Sequence, residues 1–519
     1  MLATGELHAS LRDPVLDAMN LLNEVTLRYP ESISFAPGRP YEGWFEVSEI
    51  ARYLDVYVEY LREELGYDAQ QIRTNLFQYG RTSGHINALV SRTILNDEKI
   101  HASAESIVLT VGAQEAMLLV LRALFAAQTD VLLVGAPSYV GITGAARLLD
   151  IEVLSVPETE DGLRPEAVRE AAVLLRAQGK RARACYVVPD FANPSGRSMP
   201  AADRAQLLRV AEEQDLYILE DNPYGLFALD GEPRATLKSL DRDRRVLYLG
   251  SFAKTCFPGA RVGYVVADQM VTDADGTRRP LAGELAKIKS MVTVNTPALS
   301  QAVIGGMLLA ADCRLREANR AAISFYRDNL TVLLSELARQ FPPERATELG
   351  VSWNRPDGGF FVALTVPFPA DEAALDRCAR HNKVIWTPMN QFYPDGGGEY
   401  QLRLSCSYLE PAKIVEGVRR LAAFITERIS NPDTRNRGDE VSKTYDAVVD
   451  VLSVRFNIAP ETVTPAATFD DLALDSLTLL ELVDALADAL GVEITDDELA
   501  EMLGLPDIVA KLEEKGLPA

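Results

Sequence analysis

Between residues 106 and 250 the chain alternates short apolar runs with stretches whose apolar positions recur every three or four residues. The runs at 106–112, 130–135, 152–156, 182–188, 217–220 and 245–250 predict buried strands. The stretches at 113–126, 141–149, 165–177 and 201–214 predict the helices between them. Alternation of this kind predicts a largely parallel sheet with helices on both faces and ligands at the carboxyl ends of the strands. Upstream, helical spacing at 12–29 is followed by an extended segment at 33–40, a helix at 52–65, and a loop at 78–84 before a helix through residue 94. Helical spacing resumes at 282 and runs to about 340, interrupted by Asn295-Thr-Pro297. A smaller α+β unit then follows, with strands expected at 351–353, 359–366, 384–386 and 400–405 and helices at 371–381 and 411–429.

Polar, turn-forming residues at 430–440 predict a linker, and a dozen flexible residues would reach roughly 20 Å. Four short helices are expected beyond it, at 442–456, 476–490, 496–502 and 508–516. The predicted organisation is a region at 1–429, with a large domain at about 45–330 and a small one built from 1–44 and 331–429. The linker at 430–440 and an all-α unit at 441–519 complete it.

Charge sharpens this division. The 519 residues carry a net charge of -23, of which 17 acidic and 4 basic side chains after residue 440 supply -13. Such a balance argues against a nucleic-acid binder and for attraction to basic partner surfaces. Five scattered cysteines with no Cys-x-x-Cys pair suggest neither a disulfide framework nor a zinc site, and a reducing compartment is expected. The four histidines show no ligand spacing, so no metal is expected, and Gly396-Gly-Gly398 reads as a loop. No apolar run is long enough to cross a membrane and no leader pattern opens the chain, so the expectation is a soluble cytoplasmic protein.

The chemistry centres on Val246-Leu-Tyr-Leu-Gly-Ser-Phe-Ala-Lys-Thr-Cys-Phe-Pro-Gly-Ala-Arg261. A lysine just after an apolar strand is partly desolvated, which favours the neutral amine and makes Lys254 a candidate for Schiff-base formation. Ser251 and Arg261 suit a phosphate dianion, and an aldehyde beside a phosphate suggests pyridoxal 5′-phosphate. The junction at Gly112, Ala113 and Gln114 opens a helix and offers free N–H groups to an anion. The loop Pro189-Asp-Phe-Ala-Asn-Pro-Ser-Gly-Arg197 fixes the Asn193 amide, and Asp221 ends an apolar strand where it can pair with a cationic ring nitrogen. Arg403 binds a carboxylate if it faces the crevice and is ordinary if it faces solvent. Tyr79 reads as a core aromatic or a phosphate donor, with spacing favouring the core. Ser476 reads as a helix N-cap or a modification site.

Taken in order, Ile33-Ser-Phe-Ala-Pro-Gly38, Ala136-Pro-Ser-Tyr-Val-Gly141, Asn193-Pro-Ser-Gly-Arg197, Glu220-Asp-Asn-Pro-Tyr224, Ser251-Phe-Ala-Lys254 with Pro258-Gly-Ala-Arg261, and Leu402-Arg-Leu-Ser405 resemble the motifs of fold-type I pyridoxal-phosphate enzymes. The resemblance covers residues 12–428 and is to class I/II aminotransferases of the branch with 2-aminoadipate and aromatic aminotransferases. It implies that Lys254 holds the cofactor and carries the proton, that Asp221 keeps the pyridine nitrogen protonated and that Tyr139 stacks on the ring. It further implies that Asn193 and Tyr224 bond the phenolate oxygen, and that Gly112, Ala113, Gln114, Ser251 and Arg261 hold the phosphate, with Tyr79 reaching it from the other subunit of a homodimer. Arg403, Asn193 and Gly38 would bind the substrate. Ala253 departs from the many relatives with serine there. No winged-helix pattern precedes this region, which disfavours the related transcription regulators.

The last 79 residues resemble an acyl or peptidyl carrier protein, with Leu474-Asp-Ser-Leu477 as its motif. The resemblance implies 4′-phosphopantetheine on Ser476, a phosphopantetheinyl transferase, and polyketide or nonribosomal peptide synthase partners. The fold class expected is therefore α/β, a PLP-dependent transferase fold type I followed by an all-α four-helix carrier domain. The function expected is an aminotransferase of specialised metabolism acting on an amino or keto acid or a carrier-tethered substrate. Decarboxylation, oxidation or condensation on the same cofactor is the alternative within enzymes, and a docking protein with a degenerate scaffold is the alternative outside them.

Overall fold

The structure, a computed structural model, describes residues 7–13, 16, 25–430, 443–456, 458, 463, 467–469, 471–472, 474–499 and 502–517. The chain forms two compact units, Met1–Ile429 and Ser430–Ala519. Most of the helix expected at 12–29 and the linker at 431–440 lie outside the described residues. Ser430 is the last residue of the helix Pro411–Ser430 and does not belong to a linker.

A 3₁₀ turn at Ala9–Arg12 precedes the first strand, β1 (Ile33–Ser34). The large sheet comprises β2 (Ile107–Thr110), β3 (Asp130–Ala136), β4 (Glu152–Thr159), β5 (Gly162–Leu163), β6 (Arg181–Val187), β7 (Tyr217–Asp221), β8 (Val246–Ser251) and β9 (Gly263–Val266), in the order β2-β9-β8-β7-β6-β3-β4-β5. Strands β4, β3, β6, β7 and β8 are mutually parallel, while β9 runs antiparallel to both β2 and β8. Both faces are covered, as the unbroken apolar runs require. Val131 and Leu133 pack with Val168, Leu175 and Leu207, whereas Leu132 and Val134 pack with Met117, Ile142 and Leu285. The period of two sends alternate residues of one strand into two different cores.

A hairpin of β10 (Met270–Thr272) and β11 (Arg278–Pro280) leads to the helices Ala282–Val292, Ala298–Ala310, Leu315–Ala318 and Arg320–Gln340. The helical run expected from 282 to 340 is thus broken near residues 311–314 as well as at Asn295-Thr-Pro297. The helix Ala69–Phe77 was not anticipated; Asp68 and Gln71 start it with a reciprocal capping box.

The smaller sheet orders β12 (Ser352–Trp353), β13 (Phe361–Thr365), β16 (Gln401–Ser405) and β15 (Thr387–Pro388), all antiparallel, and β14 (Val384–Ile385) pairs with β1 in parallel. Leu402 and Leu404 of β16 join the core with Phe35, Trp386 and Phe424. Period two therefore puts Arg403 on the opposite face, and it is only 3 % exposed, so the crevice alternative holds and the solvent alternative is excluded.

In the second unit the helices Lys443–Phe456, Ser476–Leu490, Asp496–Leu499 and Leu505–Glu514 enclose a core that includes Val448, Leu452, Leu482, Leu486 and Leu512. Asp475 caps the second helix, accepting the Thr478 N–H at 2.8 Å, and Gly491 at φ +70° ends it. The N-cap is Asp475, so the cap reading of Ser476 is corrected: the serine is the first helical residue. Among the described residues no helix is long and apolar enough to cross a membrane and no metal-binding cluster occurs. All five cysteines are buried and free.

Candidate active site

The carboxyl ends of β2, β6, β7 and β8 meet the strap 35–39 and the inner face of β16 around a cavity of about 330 Å³. Gly38, Ala113, Gln114, Tyr139, Asn193, Asp221, Tyr224, Ser251, Lys254, Arg261 and Arg403 all line it. Gly112 lies just behind, against Arg261. Tyr79 does not line this cavity, and Ser476 belongs to the other unit. Tyr79 is 84 % exposed, which corrects its reading as a core aromatic.

Lys254 follows β8 by three residues. Its Nζ donates to the Gly38 carbonyl at 2.6 Å. A Cβ at Gly38 would stand 2.5 Å from the Phe361 ring, so glycine is what lets the strap come this close. Burial pulls the amine down to about 8, Arg403 and Arg261 pull the same way, and Asp221 opposes them. A substantial neutral fraction near pH 8 suits nucleophilic or basic use.

Asp221 is the last residue of β7 and is buried. The Tyr186 hydroxyl donates to its Oδ2 at 2.7 Å, and Oδ1 has no partner. Burial raises the carboxyl to about 6, with the Tyr186 hydrogen bond and the Lys254 charge opposing. A buried carboxylate oxygen without a partner is costly unless a ligand supplies a donor, and a protonated pyridine nitrogen would do so.

At the other end Gly112 has φ +71°, and a Cβ there would meet Arg261 Nη2 at 2.5 Å. The guanidinium therefore closes directly onto the start of the helix Gly112–Leu124, where the first N–H groups have no helical partner. Ser251 accepts the Ala253 N–H at 3.2 Å, which orients its hydroxyl oxygen. The donor set matches a phosphate dianion, the unpartnered Asp221 oxygen matches the ring nitrogen, and the half-buried amine of Lys254 stands with them, so the residues fit pyridoxal phosphate.

Arg403 donates from Nη1 to Asn193 Oδ1 at 2.5 Å and from Nη2 to the Ala36 carbonyl at 2.5 Å and to Thr387 Oγ1 at 3.1 Å. Its Nε is buried without a partner, and its guanidinium lies 4.6 Å and 5.3 Å from the Phe361 and Phe392 ring centres. Burial pulls its pKa down to about 10. Tyr139, at the start of the helix Val140–Leu148, is pushed up to about 12 by burial, and burial raises Tyr224 as well.

Sequence reasoning missed Tyr186, Arg39, Gln391 and Phe392, which also line the cavity. A signal existed for Tyr186: a hydroxyl in an apolar strand run beside the one ending in Asp221. Nothing local marks Phe392, which a short 3₁₀ turn at Asn390–Phe392 brings in.

The family model for aminotransferase class I and II matches residues 57–421, and that for a phosphopantetheine attachment site matches residues 446–512. The chain is similar to (S)-3,5-dihydroxyphenylglycine transaminase of Amycolatopsis orientalis, 50 % identical over 433 residues, or 83 % of this chain and 96 % of that protein. It is 30 % identical to aromatic-amino-acid aminotransferase 1 of Thermococcus litoralis over 76 % of this chain and 88 % of that protein. Among solved structures, the α-aminoadipate aminotransferase of Thermus thermophilus superposes with a TM-score of 0.67 at 29 % identity, covering 83 % of this chain and 100 % of that one. The first family implies pyridoxal 5′-phosphate and the second implies 4′-phosphopantetheine. On these grounds the chain belongs to the aminotransferase class I and II family, as a pyridoxal-phosphate-dependent aminotransferase followed by a phosphopantetheine-attachment domain.

Proposed function

We propose that this aminotransferase serves specialised metabolism, moving an amino group between an amino acid with an aromatic side chain and a 2-oxo acid, and that Ser476 carries a phosphopantetheine arm whose cargo reaches Lys254. The observation that supports the site assignment is the convergence of Lys254, the unpartnered Asp221 oxygen and Arg403 on one cavity. The dihydroxyphenylglycine and aromatic-amino-acid aminotransferase relatives support the substrate class, as do Phe361, Phe392 and Tyr224 around Arg403.

Bound here, the cofactor supplies an electron sink for the pair left when a bond to the amino acid's α-carbon breaks. Asp221 would hold a positive ring nitrogen, and Tyr186 fixes the carboxylate that would do so. Gly112, Ala113, Gln114, Ser251 and Arg261 bind the phosphate. Tyr139 would cover the ring, and Asn193 with Tyr224 would bond its phenolate oxygen. Arg403, with Asn193 and Gly38, holds the substrate carboxylate and so directs the α-hydrogen toward Lys254. The Lys254 amine would act as the base that takes the α-hydrogen as a proton and carries it. A homodimer with Tyr79 entering the partner's phosphate site accounts for a tyrosine 84 % exposed on the single chain; Tyr79→Phe should weaken the cofactor, and sedimentation should show two chains.

The acidic second helix of the carrier, with Glu481, Asp484 and Asp488, suits docking on basic residues near the crevice, a contact that salt should weaken. A phosphopantetheinyl transferase would load Ser476, and polyketide or nonribosomal peptide synthase enzymes would exchange its cargo. Five buried free thiols support a reducing compartment such as the cytoplasm. Ser476→Ala should abolish turnover of the tethered substrate while leaving cofactor binding and reaction with a free amino acid intact. Full turnover of the physiological substrate by that variant would refute the carrier's role. It would favour a second reading, supported by Arg403, in which the substrate keeps a free carboxylate and the carrier acts on another step.

A further inference from the structure

The helix that opens onto the phosphate end of the cavity has a glutamate in its first turn. An acidic group there suits the helix dipole but repels an anion bound at the same N-terminus. Glu115 is 7 % exposed and fully engaged: Oε2 accepts the Val111 N–H at 2.6 Å and the Lys289 Nζ at 2.7 Å, and Oε1 accepts the Thr293 hydroxyl at 2.6 Å. Lys289 is 0 % exposed, comes from the last turn of the helix Ala282–Val292, and also donates to Thr293 Oγ1 at 2.8 Å.

A buried ion pair gives little net stability over apolar residues of the same volume, so stability alone does not account for this one. Its place does. The Val111 N–H is withdrawn from any anion by Glu115, which fixes the residue immediately before Gly112. From there the backbone turns to φ +71°, and the N–H groups from Gly112 onward, with Arg261 against them, form the cradle.

We propose that Glu115, Lys289 and Thr293 are positioning residues for the phosphate cradle: the carboxylate fixes the backbone at Val111, and the buried ammonium cancels a charge that would otherwise oppose the dianion. The proposal rests on reading the cavity as a pyridoxal-phosphate site. Residues 174 apart in sequence, on two helices, thus share control of one anion site.

The test uses the full-length chain after removal of its cofactor, titrated with pyridoxal 5′-phosphate, with pyridoxal, which has no phosphate, and with inorganic phosphate. Binding is followed by absorbance or by competition. Lys289→Met should weaken pyridoxal phosphate and inorganic phosphate by about tenfold or more, the size of one poorly screened charge interaction, and leave pyridoxal unchanged. Glu115→Gln/Lys289→Met should recover most of that loss, because both charges leave together. Equal losses for pyridoxal phosphate and pyridoxal, or a double variant no better than Lys289→Met, would overturn the proposal. If Lys289→Met does not fold, Thr293→Val decides: a smaller loss confined to the two phosphate-bearing probes supports the proposal, and an unchanged ratio of pyridoxal phosphate to pyridoxal overturns it. Failure of the unaltered chain to bind pyridoxal phosphate would instead refute the cofactor reading.

Discussion

Arg204 and Arg403 are almost equally buried, at 2 % and 3 % exposure, yet they are bonded in different ways. Arg204 meets both oxygens of Asp190, at 3.0 and 2.5 Å, and donates further to the Met199, Ala235 and Pro189 carbonyls at 3.1, 2.8 and 3.1 Å. Its charge is cancelled and each of its nitrogens is used. Arg403 meets an amide oxygen, a carbonyl and a hydroxyl, keeps Nε free, and among the described residues has no carboxylate within ion-pair distance. Asp221 has the same character in the opposite sign. Where the chain supplies the counter-charge, a buried ion is architecture, and Arg204 pins the base of the loop that carries Asn193. Where the chain withholds it, the cost of burial is offset only when a ligand arrives.

The largest effect is expected in the unpaired group. Lys254→Ala should lower turnover by about 10⁴-fold, and borohydride should fix the cofactor to residue 254 in the unaltered chain and not in the variant. A colourless unaltered chain after reconstitution with pyridoxal phosphate would refute the assignment. Next come the two arginines. Arg204→Ala should destabilise the folded chain by about 3–5 kcal/mol in denaturant melts, because it leaves the buried Asp190 only its longer 3.7 Å ion pair to Arg234. Arg403→Ala should leave the cofactor-free chain no less stable while weakening a carboxylate-bearing amino acid by about 2–5 kcal/mol in binding titrations. Equal losses of stability in both variants would erase the distinction.

A smaller effect concerns pH. The rate at which Lys254 captures added pyridoxal phosphate should rise with pH and level off above about 8, since only the neutral amine reacts. Arg403 helps to hold that pKa down, so Arg403→Ala should move the midpoint upward; Arg204→Ala should leave it in place. The smallest effect lies outside both sites. Asp475→Ala removes a helix cap and should cost the carrier unit about 1 kcal/mol by thermal melting, with no change in the catalytic unit.

Much of the fold was legible because its strands are buried on both faces and its helices on one. The helices Pro165–Ala177 and Ser476–Leu490 begin and end where their periodicity predicts. Strand β9 was hidden: Gly263–Val266 follows the Lys254 turn closely and reads locally as its continuation, yet it inserts antiparallel between β2 and β8. A pairing partner about 150 residues away leaves no local mark. The break after Ala298–Ala310 was missed for a related reason, since Asp97 of a distant segment supplies the acceptor for the Leu315 N–H that begins the next helix.

The sequence by itself determined which groups are present and, through residue spacing, that strands deliver them to one edge of a parallel sheet. Lys254 after β8, Asp221 at the end of β7 and Gly112 at a strand-to-helix turn follow from periodicity alone. Only the tertiary structure decided that Arg403 faces the crevice, that Tyr186 occupies one oxygen of Asp221 and leaves the other bare, that Tyr79 is exposed, and that the amine of Lys254 falls to about 8. The reason is that burial and Coulomb interaction are sums over neighbours in space. Gly38, Arg261 and Arg403 reach Lys254 from far apart along the chain, and no window of sequence contains them together.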